Sequence, residues 1–336
     1  MGGKYILVTG GAGYIGSHIV RQLGERGESV ITLDNLTTGF AKAVTHGDLI
    51  VGDTGDTETL SRIFNQYDIE TVMHFAAATI VPESVANPLK YYRNNTACTR
   101  TLLAVANAHK VKHVVFSSTA AVYGIPRDGT ARETDPTAPI NPYGTSKLMS
   151  EWMLRDLEVA GGPSHVILRY FNVAGCDPNG RIGQSTPRAT LLTKVACEAA
   201  VGKREHVAIF GTDYPTKDGT GIRDYIHVED LASAHLKALD YLRAGGESQT
   251  MNCGYGHGYS VRELLSAVAD ANGAPLNVIE KDRRAGDPPS LIAVADRARE
   301  LLGWTPNYDN LDAIVTSALN WERRLAAHDE TAYWAD

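Results

Sequence analysis

Tyr143 and Lys147 stand four residues apart in "INPYGTSK", directly behind a proline. If that stretch opens a helix, positions i and i+4 share a face, so the phenol and the ammonium project together. In isolation such a pair is most often a surface contact. The other chemistry open to it is acid–base. A free tyrosine titrates near ~10 and is a poor base at neutral pH, but a neighbouring ammonium favours the phenolate. A third member would be a hydroxyl at the end of the preceding strand, holding a substrate oxygen in line with the phenol. The segment "HVVFSSTAAVYG" offers Ser117, Ser118 and Thr119 there.

A second constellation lies at the start of the chain. "VTGGAGYIGSH" places Gly10, Gly13 and Gly16 between a strand-like run and a helix, with Tyr14 and Ile15 where the helix begins. Glycines permit a tight turn and close backbone approach to a pyrophosphate, and the helix start offers free N–H groups and a positive dipole end. Asp34, followed by Asn35, closes the next strand in "VITLDNL". Its carboxylate can accept from both hydroxyls of an adenosine ribose and repels a 2′-phosphate, which favours NAD over NADP. Asp53, with Thr54, follows the next apolar run in "VGDTGD" and reads either as an adenine neighbour or as a plain turn aspartate. Beside NAD⁺, a cationic nicotinamide ring would add to Lys147 in lowering the pKa of Tyr143.

The elements that position these residues follow from hydrophobic patterning. "YILV", "SVITLD", "TVMHFA", "HVVFSS" and "HVILRYFN" are β-branched, apolar runs. They alternate with helical stretches over 15–26, 57–67, 89–109 and 143–159. Continuous apolar strands between amphipathic helices predict an α/β fold, a doubly wound parallel sheet of Rossmann type with its ligand site beyond the C-terminal strand ends. After Asn172 the texture becomes rich in Gly, Pro and Asp. We therefore expect a dinucleotide-binding domain over 1–172, a smaller α/β substrate domain over 173–336, and a return of the segment around 222–242 to the first domain.

Composition excludes several alternatives. The 336 residues carry a net charge of −7 and no Lys/Arg cluster, which argues against nucleic-acid and anionic-membrane partners. Cys98, Cys176, Cys197 and Cys253 are widely spaced, as expected for free thiols in a reducing cytosol. No leader and no apolar run of ~20 residues is visible, so a cytoplasmic location is expected. His74, His113 and His227 lack metal-ligand spacing, and no metal is predicted. Leu148, Met149, Trp152, Met153 and Leu157 exceed one core-facing stripe; burial on both sides of the helix, or pairing of two copies, would explain them.

Taken together, the sequence resembles the extended short-chain dehydrogenase/reductase family, and within it the members that invert C4 of UDP-hexoses. The likeness spans nearly the whole chain. It rests on "TGGAGYIGSH", "LDNLTTG", "ESVANPLKYYRNN", "SSTAAVYG", "NPYGTSKLMSE", "LRYFNVAG", "RRAGDPPS" and, most narrowly, "IFGTDYPTKDGTGIRDYIHVEDLA". The resemblance implies a redox-neutral cycle on tightly held NAD. Tyr143 takes the proton of the sugar's 4-hydroxyl as C4 hydride leaves, the 4-keto sugar turns, and hydride returns to its other face. It implies that Thr119, where relatives usually carry serine, holds the 4-oxygen. Phe75, Ala76, Asn94, Tyr170 and Phe171 fall at cofactor contacts. Asn172, Phe210, Arg223, Tyr225, Arg284 and Asp287 fall at contacts to the UDP-sugar, the two arginines gripping its diphosphate. It also implies a homodimer. The chain departs from the pattern at Thr79, at Ala97-Cys98, at Leu191 and near Leu291, the position governing room for a 2-acetamido group. A 4,6-dehydratase would need an Asp-Glu pair after Thr119, where Ala120 and Ala121 stand. Epimerisation of a UDP-pentose, UDP-uronate or UDP-N-acetylhexosamine, net oxidation of a sugar nucleotide, and a non-catalytic nucleotide sensor are the competing readings.

Overall fold

The computed structural model describes residues 3–186, 189–284, 286–328 and 334. Ala285, within "RRAGDPPS", lies outside the described residues. Seven parallel strands form the central sheet: β1 (Tyr5–Thr9), β2 (Ser29–Asp34), β3 (Asp48–Val51), β4 (Ile69–His74), β5 (His113–Thr119), β6 (Ser164–Tyr170) and β7 (Gln249–Cys253). Their spatial order is β7-β6-β5-β4-β1-β2-β3. The order reverses between β1 and β4, and in such sheets the crevice at the reversal is where ligands bind.

The strands are apolar on both faces because both faces are covered. Ile6 and Val8 join one core with Ile19, Val20 and Leu23 of helix α1 (Tyr14–Glu25). Leu7, between them, joins the other core with Leu60 and Ile63 of α2 (Thr57–Gln66) and Leu102 of α3 (Cys98–Ala108). The period of two thus assigns neighbouring residues to opposite layers. Helix α4 (Pro142–Val159) adds Leu154 to the second layer, and α5 (Val228–Arg243) adds Leu231, Ala234 and Leu239 to the first.

Two departures from the sequence reading have local causes. The helix expected over 89–109 is divided: a π-helical stretch, Tyr92–Ala97, precedes α3. Asn95 sits there fully bonded, accepting from the amide of Ala78 (2.8 Å) and donating to its carbonyl (2.9 Å) and to Ser146 (3.0 Å). The extra residue in the turn lets this side chain pin the loop after β4 to α4. The seventh strand, "QTMNC", was not anticipated, because Gln249, Thr250 and Asn252 interrupt its apolar pattern. Asn252 is nonetheless buried, donating to the carbonyl of Ala131 (2.8 Å).

Beyond Asn172 the strands are short. A four-stranded sheet combines Ile222–Arg223, Tyr259–Ser260 and Ser290–Ala293 with Thr130–Ala131 from the first half of the chain. Helices Leu192–Ala200, Val261–Asn272 and Leu311–Ala327 pack against one another, and Val261–Asn272 adjoins this sheet. Among the described residues no helix is long and apolar enough to cross a membrane. All four cysteines are buried free thiols.

Candidate functional site

The turn between β1 and α1 is built for close approach. Gly10 has φ +72°, and a Cβ there would lie 2.5 Å from the amide nitrogen of Ala76. A Cβ on Gly16 would lie 2.2 Å from the Gly10 carbonyl oxygen, so only glycine lets the helix start pack against the turn. Gly13 is different: a Cβ there would approach nothing within 4 Å except the Gly10 carbonyl, at 3.3 Å. That opening lies at the head of α1, which has no side-chain cap and no acidic residue in its first turn. Its leading amides can therefore meet an anion.

Asp34 is buried at the end of β2. Its two oxygens accept from the amides of Ala12 (3.0 Å) and Leu36 (2.8 Å), and each retains a lone pair for a further donor. Asn35 donates to Asp53 (3.0 Å), whose other oxygen accepts from the amide of Gly55 (2.7 Å). Asp53 is thus a turn aspartate that also reaches the end of β2, beside buried Thr54. These features fit the adenosine and pyrophosphate of a dinucleotide. Across the switch point, Phe75 and Tyr170 flank the His235 ring at centroid distances of 4.9 and 5.9 Å. Asn94 faces its neighbour Asn95 (3.3 Å), and Phe171 packs with Leu291 against the cluster of Ala120, Val122, Tyr123 and Leu148.

Asn141 caps α4 by accepting from the amide of Gly144 (2.9 Å), and Pro142 occupies its first turn. The cap and the proline start the helix one residue before Tyr143. The three hydroxyls at the end of β5 have different partners. Ser117 bonds the hydroxyl of Tyr170, Ser118 donates to Glu151 (2.6 Å), and Thr119 is the one that hydrogen-bonds the Tyr143 phenol. Lys147 is buried and donates to the Ser117 carbonyl (2.7 Å).

Burial acts on both groups, beside the pull expected on Tyr143 from Lys147 and a bound nicotinamide ring. Burial pushes the phenol above its ordinary value, and the Thr119 hydrogen bond is what draws it back. Burial also brings Lys147 down to about 7, against the pull of Glu151. Desolvation outweighs the pairing because both groups lie at the end of a closely packed sheet. His74 lies nearby between Thr9 (2.6 Å) and Thr99 (2.8 Å), held neutral at about 3 by burial and by the Lys147 charge.

A second group of predicted residues converges further out. The Arg284 guanidinium stacks 3.7 Å from the Phe210 ring centroid, and Arg223 donates to Asp287 (2.7 Å). Arg283 is engaged elsewhere, with Asp213 (2.6 Å) and the Tyr214 ring, so the structure separates the two adjacent arginines. Asn172 begins a short strand paired with Tyr225. Tyr225 itself is deeply placed. It is 3% exposed and packs in the main core, because the chain passes from one sheet to another at Asp224 and the period of two is broken there. Glu151 and Arg169, buried beside the Tyr143 pair, were missed. The signal was present: Glu151 stands one turn beyond Lys147 on the same face, and Arg169 interrupts an apolar strand. His113 and His227 bond Ser164 and Ser317, and among the described residues no three His, Cys, Asp or Glu side chains gather as a metal site.

Residues 6–254 match the model of the NAD dependent epimerase/dehydratase family. The chain is 56% identical over 321 residues to a UDP-glucose 4-epimerase of Azospirillum brasilense, covering 95% of this chain and 92% of that one. Among solved structures, the UDP-glucose 4-epimerase of Brucella ovis in complex with NAD superposes with a TM-score of 0.92 at 42% identity, over 95% of this chain and 99% of the other. That of Bifidobacterium longum in complex with NAD⁺ and UDP gives 0.90 at 39% identity, over 96% and 98%.

Proposed function

The chain belongs to the NAD dependent epimerase/dehydratase family, and from that premise we propose that it is an isomerase that inverts C4 of a UDP-hexose, interconverting UDP-glucose and UDP-galactose. One observation carries the reading within this chain. Tyr143, Thr119 and Lys147 meet at the C-terminal end of β5, which lies in the same parallel sheet as β1 and its glycine turn with β4 between them. Gly10, Gly13, Gly16, Asp34 and Phe75 are the residues we assign to NAD. When bound, NAD supplies reversible oxidation at C4 and a cationic ring beside the phenol.

The chain's own groups do the rest. Tyr143 takes the proton from the 4-hydroxyl and later returns it to the 4-oxygen. Thr119 holds that oxygen in line with the phenol. Arg223 and Arg284 grip the diphosphate, Asp287 takes a ribose hydroxyl, and Phe210 faces the uracil. Binding strength placed on the UDP leaves the hexose free to turn, whereas a uniformly tight pocket would hold it on one face. We also infer a homodimer. Trp152 on α4 and Leu89 on the helix Pro88–Tyr91 packed beside it are 49% and 76% exposed, with Val85 near them. A cytoplasmic setting agrees with four free thiols.

The test is direct. Purified protein given UDP-galactose, with no NAD added, is followed by anion-exchange chromatography. A mixture of the two epimers that is lost in Tyr143→Phe supports the proposal. No conversion, even with NAD supplied, overturns it.

A further inference from the structure

The face of α4 that carries Tyr143 and Lys147 continues one turn on to Glu151, and each of the three meets a different residue of β5. Tyr143 bonds Thr119, Lys147 bonds the Ser117 carbonyl, and Glu151 accepts from Ser118 (2.6 Å). Glu151 is wholly buried, an arrangement that persists only where a carboxylate is paired and fully hydrogen-bonded. It is. One oxygen also accepts from Arg169 Nε (2.9 Å). The other accepts from Arg169 Nη2 (2.5 Å) and from Arg155 (2.9 Å). Arg169 is the β6 partner of Ser118 in the sheet register and stacks on the Tyr123 ring at 4.8 Å. Tyr123 in turn donates to Asn252 of β7 (2.7 Å). The cluster therefore spans α4, β5, β6 and β7.

We propose that Glu151 is a positioning residue for the reaction: it locks α4 in register on β5 and β6, and its charge keeps Lys147 an ammonium beside Tyr143. The proposal rests on the reading of Tyr143 and Lys147 given above. The groups facing this pair are few. On α4 they are Tyr143 and Arg155; on β4, neutral His74; on β6, Arg169 and Tyr170; after β5, Tyr123; and across the π-helical stretch, Tyr91, whose ring meets that of Tyr143 at 6.4 Å. Glu151 is the one carboxylate among them, and its field is what opposes the fall of Lys147 towards 7. Without it the ammonium is lost at lower pH. Fewer Tyr143 phenolates then form on the alkaline side.

The pH profile of kcat separates this role from simple support of the fold. In Glu151→Gln the alkaline limb moves down by about one pH unit, as loss of a neighbouring opposite charge requires. In Glu151→Asp, which keeps the charge and shortens the reach, kcat falls but the limb stays with the wild type. Ser118→Ala, which removes a hydrogen bond and no charge, also keeps the limb in place. If Glu151→Gln does not fold, Glu151→Gln/Arg169→Gln strands no buried charge and moves the limb in the same direction by less. A glutamine variant that loses activity equally at every pH overturns the inference while leaving the assigned reaction intact. A wild type inactive on UDP-galactose overturns both.

Discussion

Thr119 and Tyr143 show how much chemistry one hydrogen bond carries. Burial raises the phenol, and the threonine hydroxyl is the protein group that opposes this, so removing it should cost phenolate as well as alignment. Thr119→Val is expected to lower kcat about 10²-fold, within the range for a misplaced acid–base partner, whereas Thr119→Ser should remain close to wild type. Steady-state kinetics on UDP-galactose reads both, and equal loss in the two variants would contradict the assignment. The pair Tyr143 and Lys147 was legible in the sequence because its spacing and the Asn141-Pro142 start fix a shared helix face. Which of three adjacent hydroxyls serves the phenol was not settled by the residues themselves. It depends on how the end of β5 packs against α4, which the sequence alone does not set. The desolvation of this pair was not legible for a related reason: pairing is visible in a sequence, whereas burial requires the fold.

Between elements, the joint of α1 and α5 is the clearest case of a buried charge holding structure. Glu229 accepts from His18, from Arg21 and from Gln22 (2.8 Å), which ties the helix behind the glycine turn to the one returning from the second half of the chain. Burial alone would raise this carboxyl, but His18 and Arg21 together bring it from 4.5 down to about 2. A carboxylate depressed in the folded state contributes stability above its unfolded value and loses it as pH falls through the folded one. Urea unfolding at a series of pH values should therefore show stability falling between about pH 4.5 and pH 2. Glu229→Gln should flatten that slope and cost about 3–5 kcal/mol at neutral pH. An unchanged slope would remove Glu229 from the account. The strands and helices around this joint were read well wherever apolar runs were unbroken, as in β1, β2 and β5. They were read poorly at β7, where Asn252 is polar because it is buried for its hydrogen bonds, and at 92–97, where a π-helical turn has no periodic signature.

At the scale of the whole molecule, the proposed site draws on distant stretches of chain: the glycine turn near residue 10, the acid–base pair near 145 and the arginines at 223 and 284. The mutual approach of Phe210, Arg223, Arg284 and Asp287 has no local sequence signal, and only the resemblance to a family pointed to it. The dimer proposal is likewise a property of the assembled surface. Sedimentation equilibrium should find the wild type as a dimer and Trp152→Glu as a monomer, because a charge in an apolar contact loses its hydration. A monomeric wild type would overturn that inference. The central claim, inversion at C4 by oxidation and return within one closed cycle, is tested most directly by running the UDP-galactose conversion in heavy water and examining the product by mass spectrometry. The account predicts UDP-glucose with no deuterium on C4, since the hydrogen that leaves that carbon comes back to it. Deuterium at C4 would show that the carbon exchanges with solvent, and would contradict the mechanism.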